Sequence, residues 1–407
     1  MNHQFVEKVK NSRLALKDII LNTPLNYAPN LSQLLDTNVY LKKENLQKTG
    51  SFKIRGAFNK IRSLTNEQKQ KGVIASSAGN HAQGVAFSTH HFGIMATIVM
   101  PESTPITKVN GVKTYGAKVV LHGNNYDEAY ERAIQLAKEQ ELTFIHPFDD
   151  DDVIAGQGTI ALEILEQLQD IAIDKIIIPV GGGGLISGIA QTIKTINPKI
   201  QIIGVNAVGA SAMRQSYLAG KPVHTKSVKT IADGIAVRKA NEHTYSHIKK
   251  YVDEIVEVDD DEIAYAILFL LEQQKVLTEG AGAVSVASLL AGKVSHKKDE
   301  NIVCLLSGGN IDVTMLSVII EKGLLSSGRV MQLVVTLIDK PGSLTTLTET
   351  LKTQKANIVH ISYDRTSVHL DYGDANVSVH LETKGKKHQE KILASLHEAG
   401  FTTKVTE

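Results

Sequence analysis

The stretch Lys175-Ile176-Ile177-Ile178-Pro179-Val180-Gly181-Gly182-Gly183-Gly184-Leu185 decides the fold of this chain. Its first half is apolar on both faces and rich in β-branched residues, as in a strand buried within a parallel sheet. The four glycines let the backbone approach a ligand closely, and their N–H groups can form an anion-binding nest. Residues 185–190 then begin a helix whose N-terminal dipole favours a phosphate. A tight turn is the ordinary alternative, but it does not need four glycines, so we interpret the stretch as a phosphate-binding loop.

Apolar runs of the same kind lie on both sides of this loop. They alternate with helical patterns, such as residues 129–139 and 263–274. This alternation predicts an α/β protein with an open parallel sheet covered by helices on both faces. Ligands bind such sheets beyond the carboxyl ends of the strands, so the residues that follow each run are the candidates for a site. The predicted strands are 73–75, 96–100, 117–121, 175–180, 202–205 and 301–306.

Composition narrows the class of protein. The chain has 407 residues and a formal net charge of +1, which gives no electrostatic reason to expect nucleic acid or an anionic membrane as a partner. The single cysteine, Cys304, excludes an intramolecular disulfide and a multi-cysteine metal site. No apolar run reaches the roughly 18 residues of a membrane span, and the first residues contain no signal-peptide core. We therefore expect a cytoplasmic protein of two or three domains.

The pattern changes after a small, polar stretch at residues 322–329, where we place a domain boundary. From residue 330 onward the order of predicted elements is βαββαβ, which is typical of a ferredoxin-like unit. The predicted strands are 333–338, 357–365, 375–383 and a short one near Phe401. The two predicted helices bury Leu344, Leu347 and Leu351 in the first, and Ile392, Leu393 and Leu396 in the second.

One lysine lies in a setting that could lower its pKa. Lys53 is flanked by apolar residues in Ser51-Phe52-Lys53-Ile54-Arg55-Gly56-Ala57, at the start of a helical pattern. Partial desolvation would make its amine available as a nucleophile or a base. Taken alone, a lysine at a helix start is more often solvated than buried. This motif therefore supports a reactive lysine only together with the other motifs of the chain.

Two further motifs follow predicted strands. Ser77-Ala78-Gly79-Asn80-His81 offers a hydroxyl, an amide and free N–H groups at a helix start, which suit a carboxylate. A simple N-cap by Ser77 or Asn80 explains this motif equally well. The other motif is Ser307-Gly308-Gly309-Asn310, whose neutral hydroxyl and two glycines suit contact with a flat or tightly packed group. A plain glycine turn explains this motif equally well.

Two polar clusters need no ligand. The run Asp149-Asp150-Asp151-Asp152 precedes a predicted helix at 160–167 and suits its N-terminus, so we favour that role over a cation site. The pair His90-His91 falls at a predicted helix end just before Gly93 and requires no metal.

The four motifs occur together and in order, and they resemble those of the fold-type II, tryptophan-synthase-β-like pyridoxal-phosphate enzymes. Within that group the chain is most similar to the threonine dehydratases, also called threonine ammonia-lyases. The resemblance runs from about residue 10 to 325 and includes His146-Pro147-Phe148-Asp149-Asp150 and Ala155-Gly156-Gln157-Gly158-Thr159. It implies a catalytic domain over 1–325 with two open parallel-sheet lobes, the smaller at about 50–150. Residues 330–407 resemble an ACT domain, an amino-acid-sensing module.

The resemblance also implies roles for individual residues. Lys53, beside Phe52, would hold pyridoxal 5'-phosphate as a Schiff base, and Asn80 would hydrogen-bond the 3′-oxygen of its ring. Ser307 would meet the pyridine nitrogen, and Gly234 would lie along the ring. The phosphate would be bound by Gly181, Gly182, Gly183, Gly184 and Leu185. The substrate carboxylate would be surrounded by Ser77, Asn80 and His81.

These residue types suit β-elimination from an amino acid. A substrate amine displaces Lys53, whose freed amine becomes the base for the Cα proton, while the ring acts as electron sink. A serine at the pyridine nitrogen does not force the ring to stay protonated, as an aspartate would. That difference favours elimination over racemisation or transamination. The expected products are 2-oxobutanoate and ammonia from L-threonine, and pyruvate and ammonia from L-serine.

Two departures from the relatives' patterns bear on function. Serine racemases typically have a serine where this chain has Ala78, so racemisation is disfavoured. Relatives often carry a metal-ligating carboxylate in the run that here reads Gly204-Val205-Asn206-Ala207-Val208-Gly209. This run contains no carboxylate, and we predict no metal ligand.

Alternatives to a threonine dehydratase remain at this point. One is a serine-preferring dehydratase or a serine racemase of the same fold, since one substrate methyl is worth only about 1–3 kcal/mol of discrimination. Another is a catalytically idle sensor that binds amino acids through the ACT unit. We expect a homo-oligomer, tetramer or dimer, in which an amino acid, with isoleucine as the first candidate, regulates the enzyme through the ACT domain. Asp339-Lys340-Pro341-Gly342-Ser343 would form its ligand-facing turn.

Overall fold

The computed structural model describes residues 3–406, which separate into two compact units between Asp312 and Val313. The sequence boundary at residues 322–329 lies inside the second unit, because helix Val313–Ser326 groups with the C-terminal residues. The two units are separated by how their residues pack, which is not the same as the end of the catalytic domain. The catalytic extent 1–325 therefore stays a prediction.

The N-terminal unit alternates strands and helices along most of its length. Its strands are β1 (Leu25–Tyr27), β2 (Asn38–Lys43), β3 (Val73–Ser76), β4 (Ala96–Met100), β5 (Lys118–Leu121), β6 (Thr143–Phe144), β7 (Lys175–Pro179), β8 (Gln201–Ala207), β9 (Glu254–Val258) and β10 (Asn301–Leu306). Its helices are α1 (His3–Leu16), α2 (Pro29–Leu35), α3 (Lys53–Ser63), α4 (Asn66–Lys71), α5 (Asn80–Phe92), α6 (Ile106–Lys113), α7 (Tyr126–Glu139), α8 (Asp151–Gln167), α9 (Gly184–Ile196), α10 (Ala212–Ala219), α11 (Glu242–Tyr251), α12 (Asp260–Phe269) and α13 (Gly280–Leu290).

These strands form two parallel sheets, as predicted. The larger has the order β1-β2-β10-β7-β8-β9, and only β1 runs antiparallel to its neighbour. The smaller has the order β5-β4-β3-β6 and is parallel throughout. Every strand predicted in this unit is present, and the helix predicted at 263–274 ends in a π-helical turn at Leu270–Gln274.

The sequence analysis missed β1, β2, β6 and β9. The strands β1 and β6 are only three and two residues long, and β9 begins and is interrupted by glutamates. Strand β2 ends in two lysines, which is not typical of a buried strand, yet Lys42 is fully buried. Its burial depends on partners far away in the chain, so no local pattern could indicate it.

Each sheet has its own apolar core. Around the larger sheet, the apolar faces of α8, α9 and α11 pack on β7 and β8. Around the smaller sheet, Ala57 and Ile61 of α3 join residues of α5, β3 and β4. Helix α3 also contacts α8 extensively, so it connects the two lobes.

A buried network of charges centres on Arg55, in the first turn of α3. Its Nε and Nη2 donate to the two carboxylate oxygens of Glu44, each at 2.8 Å. Its Nη1 and Nη2 donate to Glu163 of α8 at 2.6 and 2.9 Å. Lys42 also donates to Glu163, at 2.6 Å, and to the carbonyl oxygen of Thr23 at 2.8 Å. Two cations thus offset two carboxylates in the interior, with few donors left unpaired.

Each buried charge in this network is stabilised only because its partners are also present. Burial alone would raise the pKa of Glu44, but attraction and hydrogen bonds from Arg55 lower it below its usual range. Burial likewise opposes the charge on Arg55, and the two carboxylates raise its pKa further above the ordinary value. Because desolvated charges are costly when a partner is removed, the network makes the position of α3 sensitive to each member.

The C-terminal unit is an antiparallel sheet with helices. Its elements are α14 (Val313–Ser326), β11 (Val330–Ile338), α15 (Ser343–Thr353), β12 (Asn357–Asp364), β13 (Asp374–Glu382), α16 (Lys386–Glu398) and β14 (Thr402–Val405). The sheet order is β12-β13-β11-β14, and all three pairings are antiparallel. From residue 330 onward the βαββαβ order agrees with the prediction.

The core of this unit follows the predicted periodicities with one exception. Alternate residues of β11 and β13 point inward, and Leu347 and Leu351 of α15 are buried against them. On α16, Ile392 and Leu396 are buried, with Leu393 packed beside them. Leu344, predicted on the buried face of α15, is 40% exposed because it lies in the first turn, beyond the edge of the core.

None of the described helices is both long and apolar enough to cross a membrane.

Replacing Arg55 should destabilise the N-terminal unit more than any exposed change on the same helix. Arg55→Met leaves Glu44 and Glu163 buried with Lys42 as their remaining cation, so we expect the free energy of unfolding to fall by about 3–5 kcal/mol. Urea denaturation followed by circular dichroism measures this loss.

Arg62→Met, on the exposed side of α3, is the matched control and should change stability by less than about 0.5 kcal/mol. Equal unfolding midpoints for Arg55→Met and the unmodified chain would show that the network contributes no net stability.

Candidate active site

A cavity of about 790 Å³ opens in the N-terminal unit at the carboxyl ends of its parallel strands. Ser77 follows β3, Gly181 lies two residues after the end of β7 and Ser307 follows β10, and all three line the cavity. The cavity also brings together the other residues assigned from the sequence. They are Phe52, Lys53, Asn80, His81, Gly182, Gly183, Gly184, Leu185 and Gly234. Their individual roles stay predictions, but their convergence in one place is a fact of the fold.

Lys53 is the first residue of α3, and its amine reaches into the cavity. Its Nζ donates to the carbonyl oxygen of Pro147 at 3.0 Å and lies 5.3 Å from the centre of the Phe52 ring. Burial lowers the pKa of Lys53 to about 8, against the opposing attraction of Glu279. The amine is therefore far more often neutral near physiological pH than that of an ordinary lysine, as a nucleophile or base requires.

The backbone around Lys53 is bonded to the segment that carries Ser307. The N–H of Phe52 donates to the carbonyl of Ser307 at 3.1 Å, and the N–H of Gly309 donates to the carbonyl of Gly50 at 2.9 Å. The segment Lys48–Gly50 before them makes a tight turn in which Thr49 has φ 64°. Two stretches more than 250 residues apart in the chain thus form one rigid wall of the cavity.

Asn80 does not cap its helix. The N-cap of α5 is Gly79, and Asn80 points instead to the far wall of the cavity. Its Nδ2 donates to Oε1 of Glu279 at 2.7 Å, and its Oδ1 accepts from Nδ2 of Asn310 at 2.8 Å. The amide is held in one orientation by both partners, which is a stronger reason for an asparagine here than helix capping would be.

His81 and Ser77 make local hydrogen bonds. Nε2 of His81 is 2.9 Å from the carbonyl oxygen of Ile145, which can only accept, so Nε2 carries the proton. Burial, followed by the charge of Lys53, lowers the pKa of His81 to about 3. This imidazole is neutral at physiological pH, so any contact of His81 with a carboxylate relies on its backbone N–H in the first turn of α5. Oγ of Ser77 accepts from the N–H of Gly79 at 3.2 Å.

The glycine loop leaves no room for side chains. A Cβ added at Gly184 would lie 2.8 Å from backbone and Cβ atoms of Phe148, and one at Gly181 would lie 2.8 Å from Cα of Ile235. Gly183 has φ +93° and is the N-cap of α9, with no side chain capping that helix. The N–H groups at the start of α9 therefore face the cavity without a side-chain acceptor, as an anion site requires.

Ser307 and Gly234 form the remaining predicted wall. Ser307 is buried, and its Oγ donates to the carbonyl of Ala281 at 3.2 Å. A Cβ at Gly234 would lie 2.9 Å from Cβ of Ala281, so this wall is also tightly packed.

Glu279 is the main cavity residue that the sequence analysis missed. It is buried, and burial followed by repulsion from Asp233 raises its pKa to about 7, although the hydrogen bond from Asn80 acts in the opposite direction. Its N–H donates to the carbonyl of Gly308 at 3.1 Å, so it is part of the same wall as Ser307. The signal was present in Glu279-Gly280-Ala281-Gly282, an acidic residue followed by small ones at a helix start.

His146 was quoted from the sequence without a role, and the structure gives it one. Its Nδ1 accepts from the N–H of Asp149 at 2.8 Å and that of Phe148 at 3.3 Å, which shapes the loop beneath the glycines. Burial is the largest cause that lowers the pKa of His146 to about 4. A neutral imidazole can accept both hydrogen bonds.

Two ion pairs join the lobes at the rim of the cavity. Nζ of Lys108 in α6 lies 2.9 Å from Asp233, and Arg238 pairs with Asp127 of α7. All four residues also line the cavity. Because these ion pairs lie at the rim, they do not fill the interior of the cavity.

The two clusters set aside in the sequence analysis have local structural roles. Oδ1 of Asp150 accepts from the N–H groups of Asp152 and Val153, at 2.8 and 3.1 Å, and so caps α8. The aspartate run thus lies at a helix N-terminus as expected, but the helix begins at Asp151 and not near residue 160. His90 and His91 lie in the last turn of α5, which ends at Gly93 with φ +64°.

Asn206 also makes structural hydrogen bonds. Its Nδ2 donates to the carbonyl of Val180 at 2.6 Å, and its Oδ1 accepts from the N–H of Arg214 at 2.9 Å.

Comparison with known proteins identifies relatives over nearly all of the chain. The sequence is 46% identical to the L-threonine ammonia-lyase of Thermotoga maritima over 400 residues, which cover 98% of this chain and 99% of that protein. The processed form of threonine deaminase isoform 2 from Solanum lycopersicum superposes with a TM-score of 0.75 at 41% identity, covering 79% of this chain and 88% of that one. Maize serine racemase superposes with a TM-score of 0.73 at 35% identity, covering 79% and 98%.

The sequence pattern of one family matches residues 16–308, which hold every site residue assigned from the sequence. That family is described as "Pyridoxal-phosphate dependent enzyme". The chain therefore belongs to the family of pyridoxal-phosphate dependent enzymes.

Proposed function

We propose that this protein is a threonine ammonia-lyase, which uses pyridoxal 5'-phosphate to convert L-threonine to 2-oxobutanoate and ammonia, and L-serine to pyruvate and ammonia. The observation that carries the proposal is the 46% identity to a threonine ammonia-lyase across almost the whole chain, with Lys53 in the cavity. A sensor without catalysis has no chemical need for a desolvated lysine beside an anion site.

The residues present fit the cofactor on three counts. The amine of Lys53, with its pKa lowered to about 8, is suited to covalent attachment. The loop Gly181–Gly184 and the start of α9 offer N–H groups without a side-chain acceptor, which suit a phosphate. Ser307 offers a neutral hydroxyl at the end of β10, where a ring nitrogen can meet it. Asn80 would hold the ring oxygen, and Gly234 would leave space for the flat face of the ring.

Different residues of the chain perform different parts of the elimination. When bound, the cofactor supplies an electron sink for charge that develops at the substrate's Cα. Nζ of Lys53, whose pKa burial lowers to about 8, removes the Cα proton from its neutral form. Ser77 and the free N–H groups at the start of α5 bind the substrate carboxylate, with Asn80 and His81 beside them. Because Asn80 is fixed by Glu279 and Asn310, it orients the reacting group without changing its own position.

Racemisation is the related activity against which this proposal is set. Ala78 lines the cavity with a methyl group where serine racemases typically present a hydroxyl. Without that hydroxyl, position 78 offers no acid that could return a proton to Cα. We therefore expect elimination products and no inversion of serine.

We also propose that the C-terminal unit is an ACT regulatory domain with a ferredoxin-like fold. Its βαββαβ order and the sheet order β12-β13-β11-β14 support this assignment. The turn before α15 carries Gly342 at φ +94° and leaves Lys340 and Pro341 exposed, as a ligand-facing turn would. Strand β12 lies at a sheet edge and exposes Val359, Ile361 and Tyr363, which supports pairing with a second copy in a dimer or tetramer.

The first experiment is turnover of L-threonine by purified, cofactor-loaded protein, with L-serine and D-serine in parallel. We expect 2-oxobutanoate to form faster than pyruvate and no interconversion of the serines. Lys53→Ala should abolish turnover because it removes the amine proposed to hold the cofactor and to take up the Cα proton. Lys113→Ala, a lysine outside the cavity lining, is the control and should retain full activity. Keto acid production by Lys53→Ala at the rate of the unmodified chain would contradict the assignment.

Cofactor capture by the apoprotein should depend on pH through Lys53. Only the neutral amine attacks an aldehyde, and a pKa of about 8 leaves roughly a tenth of it neutral at pH 7. The rate of capture, followed by absorbance, should therefore rise with pH and level off above about pH 8–9.

Glu279→Gln removes the charge that favours the ammonium form, so its capture profile should level off at lower pH. A rate that keeps rising past about pH 10 would indicate an ordinary, solvated lysine.

Isoleucine should inhibit threonine turnover if the ACT assignment is correct. We expect inhibition to saturate with L-isoleucine, and D-isoleucine serves as a control of identical composition. A steady-state titration over a wide concentration range measures the effect. Equal activity with and without L-isoleucine throughout that range would exclude this ligand.

A further inference from the structure

Three side chains from two helices converge outside the residues that line the cavity. Asp151 is the first residue of α8, and His243 and His247 lie one turn apart on α11. Oδ1 of Asp151 is 3.0 Å from Nε2 of His243, and the two imidazole rings are 5.0 Å apart at an angle of 80°. One nitrogen or oxygen from each residue lies within 4.8 Å of the other two.

The two helices are held so that these side chains face each other. Asp150, not Asp151, caps α8, which leaves the carboxylate of Asp151 free of backbone bonds. Nδ2 of Asn241, the residue before α11, donates to Asp149 at 3.0 Å and so ties the starts of both helices. The opposite side of α11 packs on the glycine loop, since a Cβ at Gly183 would lie 2.9 Å from Cδ1 of Ile248.

His247 is not satisfied by the protein alone. Its Nδ1 is buried and has no hydrogen-bond partner. An imidazole nitrogen without a hydrogen-bond partner is available as a metal ligand. An aromatic packing role explains the ring contact with Tyr251 but leaves this nitrogen without a purpose.

We infer that Asp151, His243 and His247 bind a divalent transition metal ion, with Zn²⁺ as the best match. Two imidazoles and one carboxylate are common zinc ligands, and water would complete a four-coordinate ion. Bonds of about 2.0–2.2 Å place tetrahedral ligand atoms roughly 3.3 Å apart. Oδ1 of Asp151 is already 3.0 Å from Nε2 of His243, and its side chain is 65% exposed, so it has room to turn toward an ion between the two imidazoles.

Such an ion would join α8 and α11, the two helices that flank the glycine loop. Phe148, three residues before Asp151, packs on Gly182 and Gly184, and α11 packs on Gly183. The ion would therefore be structural, restraining the loop without touching the cavity. This inference departs from the sequence prediction of no metal ligand, and it does not depend on the proposed activity because metal binding is measured without substrate.

The test is titration of chelator-treated holoenzyme with Zn²⁺ alone by calorimetry. We expect one equivalent to bind per chain in the unmodified protein. Loss even of a residue that only supports a ligand costs 10–100-fold in metal affinity, so Asp151→Asn and His247→Ala should each weaken binding by at least about tenfold. His122→Ala removes an exposed histidine outside the cluster and should leave the affinity unchanged.

A second measurement guards against a folding defect. Co²⁺ in place of Zn²⁺ should give the visible absorption of a four-coordinate site in the unmodified protein and none in His243→Ala. If His247→Ala does not fold, as judged by circular dichroism, Asp151→Asn decides alone, because its exposed side chain makes no backbone bond. Zn²⁺ affinity that is the same in Asp151→Asn as in the unmodified chain, or no binding below millimolar Zn²⁺, would overturn the inference.

Discussion

The position of the reactive amine depends on the buried ion pairs of Arg55. That residue lies two positions after Lys53 and is bonded on one side to Glu44 and on the other to Glu163 of α8. The start of α3 is thereby fixed to both the segment before it and the helix beneath it. The amine of Lys53 donates to the carbonyl oxygen of Pro147, which carries no full charge, so this amine can lose its own charge. Arg55 therefore fixes the position of this helical turn, and Lys53 supplies its reactive amine.

The charge states of the groups in the cavity also bear on how a ligand binds. The imidazoles of His81 and His146 are neutral at physiological pH because burial lowers their pKa values, and neither places a cation beside Lys53. The anion site consists of backbone N–H groups, with no arginine or lysine in the loop Gly181–Gly184. Glu279 is a carboxyl group whose pKa of about 7 lets it change protonation state near neutrality while it holds Asn80. The interior therefore accepts a charged ligand without a fixed countercharge of its own.

The sequence predicted those features that depend on a few neighbouring residues. Four glycines after an apolar run indicate a close backbone approach wherever they occur, and the loop lies where that pattern placed it. The polar residues after β3 and β10 could be placed because parallel strands end at one edge of a sheet. Lys42 could not be placed, because a charged side chain is buried only where a distant partner compensates it. The partner of Lys42 is Glu163, 121 residues further along the chain.

The order of strands in the larger sheet has a consequence for how the protein is made. Strand β10, the last of that sheet in the chain, lies between β2 and β7. Until residues 301–306 leave the ribosome, β2 and β7 each present an unpaired edge, and the wall that contains Ser307 does not exist. Closure then requires contacts between residues about 260 apart, such as Thr37 with the carbonyl of Glu300, which is slow because of the length of the loop it closes. Nascent chains should therefore be most prone to aggregation just before this insertion, and most dependent on chaperones at that stage of synthesis.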